Sequence, residues 1–148
     1  YAGADLRPYI ELAEYTINQQ MQEILADIYL RQPDAVGFSC YIWNWNMVRR
    51  LVVELKKLMP DTDIWLGGPE VSYDAPGILR EFPQVRGIMV GEGEATFREL
   101  MEGYVKNAIS SFLFLFLKVH LYNLIHAQNI LYYPYFIILS RNIAVNCM

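Results

Sequence analysis

Up to Tyr104 the apolar residues recur with two periods in turn, one of two residues and one of about three and a half. Tyr9-Ile-Glu-Leu-Ala-Glu-Tyr15 alternates, which predicts a strand near a sheet edge because Glu11 and Glu14 need water. Ile17, Met21, Ile24, Leu25 and Ile28 then fall on one helical face. Thr16 is placed to cap that helix with Gln19 as its capping-box partner, and Gln32-Pro33-Asp34 breaks it near Arg31. Ala35 to Ile42 is apolar on both faces, as a parallel strand covered on both sides must be. A helix follows, capped by Asn44 or Asn46, with Met47, Leu51, Val52, Leu55 and Leu58 as its stripe, until Pro60-Asp61 ends it. The apolar run Ile64-Trp-Leu stops at Gly67-Gly-Pro-Glu70. A weaker helix spans about Pro76 to Phe82, a last strand Gly87 to Val90, and a last helix carries Phe97, Leu100, Met101 and Tyr104.

Strand and helix thus alternate four times, which predicts an α/β domain: a flavodoxin-like (Rossmann-like) doubly wound parallel sheet with right-handed crossovers. Such a sheet commonly has five strands in the order 2-1-3-4-5, the second at an edge and the first beside it. If the Tyr9–Tyr15 strand is that edge, the first strand–helix unit is missing and its place lies upstream of Tyr1. The chain then reads as truncated. It also opens without Met or an apolar leader.

The pattern breaks at Ala108. Ile109-Ser-Ser-Phe-Leu-Phe-Leu-Phe-Leu117 and Ile130-Leu-Tyr-Tyr-Pro-Tyr-Phe-Ile-Ile-Leu139 are both shorter than the ~20 apolar residues of a transmembrane helix. Lys118, His120, Asn123 and His126 interrupt the first and Pro134 the second. We therefore divide the chain into an α/β domain, 1–107, and an apolar C-terminal tail, 108–148. The abrupt shift favours a tail foreign to the domain; a strand or helix completing the sheet and a membrane-seeking segment are the alternatives.

Composition sharpens this division. The chain is 54% hydrophobic over 148 residues and carries a net charge of −4. The tail holds only Lys118 and Arg141 and no acid, so residues 1–107 carry a net −6. An acidic body lacks the basic patch that a nucleic-acid partner requires. Cys40 and Cys147 form no Cys-x-x-Cys pair, so this chain alone builds no zinc or iron–sulfur site. Cys40 within an apolar strand reads as a buried, reduced thiol, which fits a cytoplasmic protein.

Ligands of open α/β sheets bind outside the carboxyl ends of the strands. That edge collects Ser39, Tyr41, Trp43, Asn44 and Trp45 from one loop, and Gly67, Gly68, Glu70, Ser72 and Tyr73 from a second. A third gives Gly91, Glu92, Gly93 and Glu94. Glycine there lets main-chain N–H groups approach a ligand, helix N-termini attract phosphate, and Tyr41 and Trp43 are suited to cover a flat ring. Plain turns and packing account for the same residues equally well. The dinucleotide fingerprint fails, because Gly91-x-Gly93 continues to no third glycine and no acid follows a strand at ribose distance. A phosphorelay receiver is excluded, since Ser39 and Cys40 stand where its phospho-accepting Asp belongs.

Three phrases taken together carry a resemblance. Gly37-Phe-Ser-Cys-Tyr-Ile-Trp-Asn44, Leu66-Gly-Gly-Pro-Glu-Val-Ser-Tyr73 and Gly91-Glu-Gly-Glu-Ala-Thr-Phe97 resemble the N-terminal cobalamin-binding domain of cobalamin-dependent radical SAM proteins, over about Ile10 to Gly103. The resemblance implies cobalamin as cofactor, with Ser39 beside its nucleotide tail, Gly67 and Gly68 lining the channel, and Gly91 to Gly93 closing the far side. Tyr41 and Glu70 complete the expected cofactor-binding set. No catalytic or metal-ligating residue is assigned. It also implies a radical SAM domain in cis, with S-adenosylmethionine and a 4Fe-4S cluster held there. Two features depart from such families: the Asp-x-His-x-x-Gly cobalt-ligating loop and the Cys-x-x-x-Cys-x-x-Cys cluster motif are both absent. The alternatives are a non-enzymatic α/β interaction module with a membrane-seeking tail, or an inactive fragment. On this reading Gly68→Leu weakens cobalamin retention without unfolding the domain.

Overall fold

The computed structural model describes residues 3–91, 93–105 and 136–139. Its strands are β1 (Glu11–Ala13), β2 (Ala35–Ser39), β3 (Asp63–Gly67), β4 (Gly87–Met89) and β5 (Phe136–Leu139). Its helices are α1 (Met21–Arg31), α2 (Trp45–Leu58), α3 (Pro69–Ser72), α4 (Ala75–Glu81) and α5 (Gly93–Val105). β2, β3 and β4 pair in parallel, the arrangement that alternating strands and helices require.

Helices cover both faces of this sheet. Val36, Phe38, Ile64, Leu66 and Ile88 point to one side, where Ile24 and Ile28 of α1, Leu51 and Leu55 of α2, and Ala75 and Phe82 after α3 close over them. Ala35 and Trp65 point to the other, under Leu100 and Met101 of α5. The doubly wound reading holds. On that second face the Tyr104 hydroxyl donates to Asp63 Oδ2 (2.7 Å) and accepts from Trp65 Nε1 (2.8 Å), fixing the end of α5 over β3. Burial, then the bond to Asp63, pushes the Tyr104 phenol up, so it stays a donor.

At the opposite edge β1 is tied to α1 by polar groups. The Tyr15 hydroxyl donates to Asp27, and Arg31 pairs with both Asp27 and Glu11. The bond from Tyr15, then that from Arg31, holds the Asp27 carboxyl below its ordinary value.

Three expectations shift. α1 starts at Met21 because Thr16 and Gln19 close a separate turn, the Thr16 N–H donating to Gln19 Oε1 (2.6 Å) and the Gln19 N–H to the Thr16 carbonyl (3.1 Å). Ile17 is consequently exposed. The α2 stripe runs through Val48, Leu51, Val52 and Leu55 to Met59, leaving Leu58 at its margin and half exposed. Ala35 to Ile42 is a strand only as far as Ser39.

The largest addition is β5. It lies between β1 and β2 and runs antiparallel to both, with Phe136 opposite Ala13 and Phe38, and Leu139 opposite Ala35. The position next to the edge strand, expected to belong upstream of Tyr1, is held by a stretch of the apolar tail. The run 109–117 and the residues Lys118, His120 and His126 lie outside the described residues. Among the described residues no helix is long and apolar enough to cross a membrane.

Candidate functional site at the carboxyl edge

β2, β3 and β4 end level. Ser39 is the Cα partner of Gly67, and Gly67 that of Met89, so the three strands stop in one line across the sheet. The turns that follow leave from this single edge, which brings together Ser39, Tyr41, Gly67, Gly68, Glu70, Gly91 and Gly93. Glu92 lies outside the described residues. Ser39 and Gly67 are adjacent and small, so the middle of the edge carries little side-chain bulk.

The first turn closes on itself. Asn44 is 1% exposed, and its carboxamide is satisfied at both ends: Oδ1 accepts the Tyr41 N–H and Nδ2 donates to the Ser39 carbonyl, each at 2.8 Å. The Tyr41 carbonyl in turn accepts the N–H groups of Asn44 (3.1 Å) and Trp45 (2.9 Å). Asn44 stands at the start of α2, as a cap should, yet makes no side-chain bond to that helix. The rings of Tyr41 and Trp43 stack at 4.7 Å and 6°, while Ile42 between them is 76% exposed. Trp45 leaves the edge and packs edge-on against Phe82.

The second turn is stitched to the first through main chain. The Cys40 N–H donates to the Gly67 carbonyl (2.7 Å), and the Glu70 N–H donates to the Cys40 carbonyl (3.3 Å). Gly68 has φ +101°, and a Cβ placed there would lie 2.5 Å from the Cys40 carbonyl oxygen. No side chain fits. The space that Gly68 leaves is therefore filled by the β2 loop, which overturns the expectation that Gly68→Leu spares the fold. Gly67 differs: the nearest atom to its Cβ would be the end of the Met89 side chain, at an ordinary contact distance of 3.4 Å. Ser72 Oγ donates to the Gly68 carbonyl (2.7 Å) and holds the turn from below. Burial pushes the Cys40 thiol up to about 12, so the sulfur is inert.

The third turn is open. Gly91 is exposed with φ +88°, and among the described residues nothing lies within 4 Å of a Cβ built on Gly93. α5 begins there, so the positive end of its dipole meets the edge. Across the rim, Tyr73 is 93% exposed. Sequence reasoning placed these residues correctly on one edge but missed the roles of Asn44 and Ser72. A helical-spacing match between Ser72 and Gly68 is the signal that could have revealed the second.

A family model described as "B12 binding domain" matches residues 8–101. A cobalamin-dependent radical SAM methyltransferase, TokK of Streptomyces tokunonensis, is 37% identical over 71 residues, 47% of this chain and 10% of its own length. A 2-(S-pantetheinyl)-carbapenam-3-carboxylate methyltransferase of Streptantibioticus cattleyicolor is 37% identical over 82 residues, 55% of this chain and 12% of its own length. The chain thus spans only a small part of the curated relatives it matches. Among solved structures, the N-terminal domain of a hypothetical Thermotoga maritima protein is 24% identical, with a TM-score of 0.44, covering 62% of this chain and 72% of that one.

Proposed function

Because the chain belongs to the B12-binding domain family, we propose that its carboxyl edge holds the nucleotide tail of cobalamin, between Ser39 and Gly67 on one side and the Gly91–Gly93 turn on the other. The observation that carries this is the level ending of β2, β3 and β4, which sets a hydroxyl, a buried glycine and an open glycine turn along one line. The start of α5 suits the phosphate of such a tail, since free N–H groups at a helix N-terminus favour an anion. Tyr41 borders the same edge, and Glu70 serves through its main-chain bond to Cys40. When bound, the cobalt would supply methyl-transfer or radical-assisting chemistry; the protein positions it and excludes water.

In the proposed whole protein this domain presents the corrin to a radical SAM domain in cis, which carries S-adenosylmethionine and a 4Fe-4S cluster, in the cytoplasm. The name of TokK, a cobalamin-dependent radical SAM methyltransferase, supports the radical SAM partner, and the name of the second relative supports methyl transfer. So does the rim, where Ile42, Trp43 and Tyr73 expose apolar surface that a neighbouring domain would cover.

Titration of the purified chain with hydroxocobalamin tests the site. The expected result is a change in the corrin spectrum and retention on a cobalamin resin. An unchanged spectrum without retention would instead support a non-enzymatic interaction module that uses the exposed rim for a protein partner.

A further inference from the structure

An amide buried next to a helix start ordinarily caps that helix. Asn44 does not. Both ends of its carboxamide go back into the loop that precedes it, five residues to the Ser39 carbonyl and three to the Tyr41 N–H. Only one orientation of the amide satisfies both partners, since the carbonyl needs a donor and the N–H an acceptor. Between those two residues, the Cys40 N–H and carbonyl are taken by Gly67 and Glu70. The main chain from Ser39 to Tyr41 is thus pinned at every residue, and the Asn44 side chain provides the bonds to the Ser39 carbonyl and the Tyr41 N–H at its two ends. An apolar side chain would fill the same buried space but would take these partners from the Ser39 carbonyl and the Tyr41 N–H, which lie in a partly buried loop.

From this geometry we infer that Asn44 is the positioning residue of the cobalamin edge, setting the direction in which Ser39 and Tyr41 face the nucleotide tail. The inference rests on the cobalamin reading above. Asn44 itself, nine-tenths or more buried, touches no ligand; it acts through the loop it clasps.

The test compares two corrinoids, cobalamin and cobinamide, which lacks the nucleotide tail. Asn44→Ala should weaken cobalamin binding by about tenfold, the effect of one lost positioning bond, and leave cobinamide binding unchanged. Asn44→Asp keeps the acceptor for Tyr41 but loses the donor for Ser39, so it should show the same split. A Tyr104→Phe control, destabilised on the far face, should bind both corrinoids as the wild type does. If either Asn44 variant loses both corrinoids equally, the residue is merely structural; if a folded variant binds cobalamin with wild-type affinity, the inference fails. Slow exchange of the wild-type Tyr41 amide is expected as well, and free exchange would contradict the clasp without any substitution. A wild type that binds neither corrinoid overturns the cobalamin reading itself and this inference with it.

Discussion

Two glycine turns on one sheet edge look alike on paper and behave as opposites. After β3, Gly68 takes a left-handed conformation so that the Cys40 main chain can press against its Cα, and a Cβ would sit 2.5 Å from that carbonyl oxygen. After β4, a Cβ on Gly93 would meet nothing within 4 Å among the described residues. The first glycine lets the protein approach itself; the second leaves room for something else. Glycine after a strand therefore signals close approach without saying of what. Only the neighbouring atoms decide.

The contrast is easiest to break at Gly68. Gly68→Ala combines backbone strain with a steric clash and should cost roughly 2–5 kcal/mol, seen as a lower urea midpoint, whether or not cobalamin is present. A variant as stable as the wild type would mean that the two turns do not differ. Tyr104→Phe comes next. It removes the donor to Asp63 and the acceptor for Trp65, at a cost of about 1–3 kcal/mol in the same assay. Its corrinoid affinity should stay unchanged, because the loss lies on the face away from the edge.

A smaller effect comes from the thiol beneath Gly68. The folded protein holds the Cys40 proton up to about 12, above the ordinary 9.0. The sign follows: the associated stabilisation is complete below pH 9 and is lost as pH rises toward 12. Chemical denaturation between pH 8 and 10 should show a decline that Cys40→Ala reduces, the remainder coming from the raised phenols of Tyr15 and Tyr104. Native protein at pH 8 should also resist alkylation until it unfolds; rapid labelling would mean that the loop over Gly68 opens.

Gly93→Leu should disturb the fold least, within about 0.5 kcal/mol, because the added side chain enters open space. It should nevertheless lower cobalamin affinity. Gly68 and Gly93 variants thus invert each other: one loses the fold and the other the ligand.

Much of this was legible in the residues. Continuous apolar runs from Ala35, Ile64 and Gly87 announced buried parallel strands, and their shared grammar placed the edge, although the first reads three residues too long, to Ile42. What stayed hidden depends on partners distant in sequence or on competing local choices. Asn44 reads as a cap, because a helix start is next to it and the Ser39 carbonyl it serves is visible only once the loop has closed. Thr16 and Gln19 met in an isolated turn in which the Gln19 side chain accepts from Thr16 as a capping box requires but the Gln19 N–H goes to the Thr16 main-chain carbonyl, because the helix found its buried face only from Met21 onward. β5 lies in the apolar run 130–139, for which a strand or helix completing the sheet is one alternative beside a foreign tail and a membrane-seeking segment. Phe136 to Leu139 is simply apolar, and the choice to run antiparallel between β1 and β2 is made by unpaired strand edges elsewhere in the chain.

Amide hydrogen exchange with and without hydroxocobalamin tests the central claim most directly. Slowed exchange at Gly67, Gly91 and Gly93, with the α1 and α2 amides unaffected, is the predicted result. Protection confined to other parts of the molecule, or none at all at saturating cobalamin, would contradict it.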